Sequence, residues 1–236
     1  MVYTTLRPSK IIETAERLSV RIAGQFPNSG LARIASEVVS VARTTEADAQ
    51  LLLEPNRTIR LLVAFVGAAG ITTALYVASL LRVDRMAGDP IPLVQGLESA
   101  MNLAILVGLG VLGLTRLESR WKTKRALASL HRLRSLAHVV DMHQLTKDPS
   151  AWRPTPVFDT ALRRLAPEQL VAYLDFCSEL LALIGKLAAL YGQSLGDAVV
   201  VQAVNEVEVL TTNLSRKIWQ KIAIVSREAP GVSPRD

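Results

Sequence analysis

The sequence predicts an all-α membrane protein, a two-helix transmembrane hairpin with a cytoplasmic helical bundle built from both flanks. Three observations carry that expectation. Half of the residues are apolar but only 5% are aromatic, and the mean hydropathy of +0.28 is high for a soluble chain. Leu, Val, Ile and Ala supply that apolar mass, which favours helix over sheet. Two long runs carry no charge, and the basic residues crowd beside the second of them.

The chain divides into residues 1–56 (N-terminal cytoplasmic helices), 57–115 (the hairpin), 116–228 (a cytoplasmic helical region) and a disordered tail, 229–236. In the first part, Ser9 to Gln25 places Ile11, Ile12, Ala15, Leu18 and Ile22 on one helical face, with Ser9 as the expected cap after Pro8. Phe26-Pro27-Asn28-Ser29-Gly30 breaks the pattern. Leu31 to Leu53 resumes it through Ile34, Val38, Val41 and Ala42.

Leu61 to Leu81 is twenty-one residues without a charge. At about 1.5 Å per residue it reaches roughly 31 Å, the thickness of a hydrocarbon core. Thr72, Thr73 and Ser79 can return their hydroxyls to the helix backbone. Ser99 to Thr115 adds seventeen uncharged residues, and Pro90 and Pro92 place the start of that helix after them. The first apolar run lies some way into the chain and is expected to act as its own uncleaved insertion signal.

Charge sets the expected topology. Residues 116–134 hold seven Lys or Arg against one acid, a surplus equal to the net charge of +6 of the whole chain. The basicity is a collar and not a property of a domain face, so nucleic acid is not an expected partner. Arg57, Arg60, Arg116, Arg120, Lys122, Lys124 and Arg125 border the two far ends, whereas Arg82 and Arg85 stand in the connecting loop. That imbalance predicts both termini in the cytoplasm, and the compact hairpin architecture predicts a multi-pass protein of a bacterial inner membrane. Arg116, Arg120, Lys122, Lys124 and Arg125 are the expected anchors to anionic headgroups of the bilayer.

Small residues recur every four positions in both runs, as Gly70, Ala74 and Ala78 and as Ala100, Ala104 and Gly108. Such stripes let helices approach closely, within a hairpin or between copies. After the second run the helical pattern continues through Leu127, Leu130, Leu133, Leu136, Ala137 and Val140 to about Leu145, and a Pro-containing linker follows through Pro156. Two striped helices close the chain, over 167–193 and 196–227. Leu170, Tyr173, Leu174, Cys177, Leu181, Ile184 and Leu187 face Val200, Ala203, Val207, Leu210, Leu214, Ile218 and Ile222 in an expected antiparallel pair.

Catalytic signatures are sparse. Gly108, Gly110 and Gly113 match a dinucleotide-binding spacing, but no strand leads into them. His131, His138, Asp141 and His143 cluster in sequence, yet too few share a helical face for a metal site, so no metal and no cofactor are expected. Cys177 is the single cysteine and reads as a buried thiol.

Arg132 and His138 resemble the Arg-x4–6-His pattern of HEPN-type ribonucleases, which are helical bundles. The resemblance covers seven residues. It implies that Arg132 and His138 as a pair handle phosphate and proton transfer in a dimer cleft. The leading expectation is instead a non-enzymatic inner-membrane protein with a helical interaction module that self-associates, with a cytoplasmic protein as a further partner. Alternatives are an oligomeric pore formed by the hairpin and the membrane-tethered HEPN-like ribonuclease.

Overall fold

The computed structural model describes residues 5–80, 91–145 and 165–228. The sequence-predicted linker through Pro156, the loop residues Arg82 and Arg85, Leu81 and the tail 229–236 lie outside the described residues, as does the side chain of Ala78. Among the described residues the chain is all-helical: α1 (Pro8–Gln25), α2 (Gly30–Leu53), α3 (Arg57–Leu80), α4 (Ile91–Leu145), α5 (Pro167–Ser194) and α6 (Ala198–Glu228). It divides into two compact units. One comprises Met1–Leu53 with Arg125–Asp236, and the other Glu54–Lys124.

Helix starts follow local chemistry and depart from the sequence expectation in three places. Pro8 takes the first helical position of α1, where its missing N–H is no loss, so Arg7 and not Ser9 precedes the helix. Pro92 lies inside the first turn of α4, which begins at Ile91 and not beyond that proline, because first-turn amides have no intrahelical partner. Asp197 accepts from the Val199 and Val200 amides at 2.9 and 3.3 Å and so starts α6 at Ala198. The turn between α1 and α2 needs Asn28 at φ 57°, a left-handed conformation that Asn tolerates. Ser29 Oγ then accepts from the Ala32 amide at 3.1 Å.

The first unit packs around α5, which contacts α1, α2 and α6. Its buried residues go nearly all round the helix, from Leu170, Val171 and Tyr173 to Leu190 and Tyr191. All seven residues of the expected α5 stripe are buried; on α6 Val200, Val207, Leu214, Ile218 and Ile222 are buried, and Ala203 and Leu210 partly so. The close approaches of Gly185 to Thr211 and of Gly192 to Val204 fix an antiparallel α5–α6 pair. Ala126, Leu130, Leu133, Ala137 and Val140 of α4 join the same core, together with Ile11, Ala15, Leu18 and Ile22 of α1 and Leu31, Ile34 and Val38 of α2. Phe26 sits edge-on to Tyr173 and Phe176, with ring centroids 5.5 and 6.2 Å away. Arg21 covers Phe176 at 5.2 Å while pairing with Glu179 at 3.1 Å.

The second unit is built differently. Both α3 and α4 are long and apolar enough to cross a membrane, and none of either apolar window is buried. Leu61, Phe65, Leu75, Leu106 and Leu109 are each more than 60% exposed. Thr72 and Ser79 donate to the carbonyls of Ala68 and Tyr76 at 2.8 and 2.6 Å, so their hydroxyls are satisfied within the helix.

Truncation separates the two environments. Leu187→Ala, in the fully buried centre of α5, is expected to cost about 2–5 kcal/mol, whereas Leu109→Ala on exposed α4 surface is expected to cost under about 1 kcal/mol. Thermal unfolding in mild detergent, followed by circular dichroism, measures both.

Candidate functional site

Three features of these helices are candidates for a site: two clusters of polar side chains and one groove lined by small residues. The first is a clasp within the second unit. Glu118 of α4 accepts the backbone N–H of Asn56 at 2.9 Å and pairs with Lys122, one turn on, at 3.0 Å. The Lys122 ammonium also donates to the Glu54 carbonyl at 2.9 Å. The clasp therefore satisfies two backbone groups of the turn that opens α3, a donor and an acceptor left over at helix ends. Its side chains are only 15% (Lys122) and 18% (Glu118) exposed. The Asn56 amide and then Lys122 hold the Glu118 carboxyl below its ordinary range, with Arg60 adding to the effect.

The second is a node inside the first unit, centred on Asp48 of α2. Arg125 Nε and Nη2 donate to Asp48 Oδ1 at 3.0 and 2.8 Å, and Ser129 Oγ donates to Oδ2 at 2.9 Å. The Tyr191 hydroxyl reaches the same Oδ2 at 3.4 Å, with Thr45 and Ser129 as further partners. Tyr191 is buried, and loss of solvent raises its pKa. One carboxylate thus ties α2, α4 and α5 together. Arg134 completes a further link by pairing with Glu206 of α6 at 3.2 Å.

The third is a groove of about 310 Å³ in the second unit, lined by both α3 and α4. Four members of the small-residue stripes face it: Gly70, Ala74, Ala100 and Ala104. Gly67 and Gly96 extend it, and Ser99 is its one hydroxyl. At its end a Cβ on Gly70 would lie 2.7 Å from Val107, so the residue must be glycine for the helices to approach as they do. Gly108 has open space around it and does not line the groove.

The remaining sequence candidates are dispersed. Arg132, His131 and His138 are exposed on α4, and Arg132 and His138 are turned about 120° from each other on the helix. His143 packs against Gly30, with its ring atoms where a Cβ there would sit. Among the described residues no group of His, Cys, Asp and Glu converges to hold a metal ion. Cys177 is fully buried, and desolvation pushes its thiol up to about 12.

Of the five expected headgroup anchors, Lys122 and Arg125 are engaged with protein acceptors in the clasp and the node. Arg116, Arg120 and Lys124 are exposed. Sequence reasoning missed Asp48, Glu118 and Tyr191. The available signal was an acid one turn after Thr45 on the buried face of α2, and a lone acid within a basic run.

No known protein family, curated protein or solved structure matches this chain.

Both polar sites have measurable consequences. Asp48→Ala leaves the buried Tyr191 hydroxyl and Arg125 without their carboxylate and is expected to destabilise by about 1–3 kcal/mol, read from thermal unfolding in detergent; Glu46→Ala on the same helix serves as the comparison. The folded-state pKa of Glu118 is lowered, so its contribution is complete above the ordinary glutamate value of about 4.3 and is lost as pH falls through the folded value. The Asn56 amide resonance is therefore expected to titrate below that ordinary value, and Glu118→Gln is expected to abolish the titration.

Proposed function

We propose that this chain is a multi-pass protein of a bacterial inner membrane, whose α3 and α4 form a transmembrane hairpin and whose first unit is a cytoplasmic interaction module. The observation that carries the reading is the contrast between its two apolar populations. Leu174, Leu181, Ile184 and Leu187 are wholly buried, while the apolar windows of α3 and α4 have no buried residue. A continuous apolar surface of that extent is stable in lipid and is a liability in water. Both helices also satisfy their backbone internally, as a spanning element must.

The bias of basic residues toward the far ends of the two spans supports cytoplasmic termini. The module acts by interaction and not by catalysis in this reading. The most heavily bonded carboxylate of the module is used to join helices: Asp48 is committed to Arg125, Ser129 and Tyr191. Self-association through the membrane helices is supported by the groove along Gly70, Ala74, Ala100 and Ala104, where small side chains let a further helix come close.

Alkaline carbonate extraction of membranes tests the placement, with the chain expected in the pellet; recovery in the supernatant overturns it. Crosslinking in native membranes, followed by sizing in mild detergent, tests association. A ladder of multimers is expected, and its loss is expected on Ala100→Leu, which fills the groove. A monodisperse monomer in both measurements overturns self-association.

A further inference from the structure

We propose that one face of α4, made by Arg116, Arg120 and Lys124 with Leu117 and Trp121, is a binding surface for anionic phospholipid headgroups. It rests on the membrane reading above and names the partner of the membrane boundary. Arg116, Arg120 and Lys124 are spaced by four, so each is turned only about 40° from the one before and the three share a side. All three are exposed. Leu117 and Trp121 continue the same surface, 61% and 46% exposed.

The structure sorts this surface from the rest of the basic run. Glu118 and Lys122 project from the other side of the helix and hold the turn at Glu54 and Asn56, and Arg125 is bound to Asp48. Glu118 is the one acid between 116 and 134, and its carboxylate is engaged by Asn56 and Lys122. Three positive charges therefore share a face to which their own segment contributes no acid.

The character of the face favours lipid over a nucleic acid. It begins directly after the uncharged run that ends at Thr115, where headgroups follow hydrocarbon. An indole and a leucyl side chain alternate with the cations, which suits a boundary between apolar and charged layers. The cations supply the preference for negative headgroups.

The test uses the full chain in neutral maltoside micelles, with Trp152→Phe and Trp219→Phe leaving Trp121 as the reporter. Dioctanoyl phosphatidylglycerol and dioctanoyl phosphatidylcholine are titrated while indole emission is followed. The anionic lipid is expected to bind at least tenfold more tightly. Each charge removed is expected to weaken it about fivefold, so Arg116→Gln, Arg120→Gln and Lys124→Gln together weaken it about a hundredfold. Arg116→Lys with Arg120→Lys is expected to retain binding, because the surface reads charge, and this pair guards against a variant that has lost its fold. Three glutamines placed instead at Arg33, Arg216 and Lys217 are expected to leave affinity unchanged.

Equal affinity for the two lipids overturns the proposal. So does a triple variant that binds as before, or an equal loss from the three distant substitutions. Any of these results with the chain still in the carbonate pellet overturns this surface alone; release to the supernatant overturns the membrane reading beneath it.

Discussion

Apolar side chains must be removed from water, and this chain meets that requirement internally for only one of its two apolar populations. In the first unit α5 is surrounded, and its leucines, aromatics and Cys177 have neighbours on nearly every side. At roughly 25 cal/mol per Å² of apolar surface buried, such a helix organises everything packed on it. In the second unit the same residue types stand uncovered along α3 and α4. The proposed bilayer supplies the environment that the polypeptide does not. The division between the units falls close to where this change in environment occurs.

Polar groups respect the same division. Within the core unit, a carboxylate removed from water needs several donors, and Asp48 obtains them from Arg125, Ser129 and Tyr191. At the start of α3, the helix end leaves backbone groups without partners, and Glu118 and Lys122 supply them. The two arrangements use residues that look alike in sequence. A run of arginines and lysines beside an apolar segment reads as one collar, yet folding sorts it into protein-facing and solvent-facing members. That sorting is what gives the headgroup proposal its specific residues.

Glycines mark where helices come closest, but for different reasons. Gly70 permits an approach that any side chain would block at Val107, and Gly185 meets the Thr211 hydroxyl in the core unit. Gly108 belongs to the same sequence stripe as Ala100 and Ala104 but faces open space. A spacing of four keeps residues near one face over one turn, while the drift of about 40° per step carries the last of them off it. The groove therefore includes Gly67 and Gly96, which the stripes did not contain.

Much of the architecture was legible in the order of residues. Periodicity located the faces of α1, α2, α5 and α6 because burial repeats every three or four positions, and it carried α4 on to Leu145 through Leu130, Leu133, Ala137 and Val140. The two uncharged runs located the helices with exposed apolar windows, since length and hydropathy are properties of the segment alone. Helix starts were less accessible, as Pro8, Pro92 and Asp197 show, because capping depends on side-chain geometry at single positions. The partners of Asp48 and Glu118 were not accessible at all. Arg125 is far from Asp48 in the chain, as Glu118 is from Asn56, and only the packing of helices brings such residues within hydrogen-bond reach. Sequence by itself determined which segments are helical and which of them carry long uncharged apolar windows. Tertiary structure decided which charges are bound internally, because that depends on distances that no local pattern encodes.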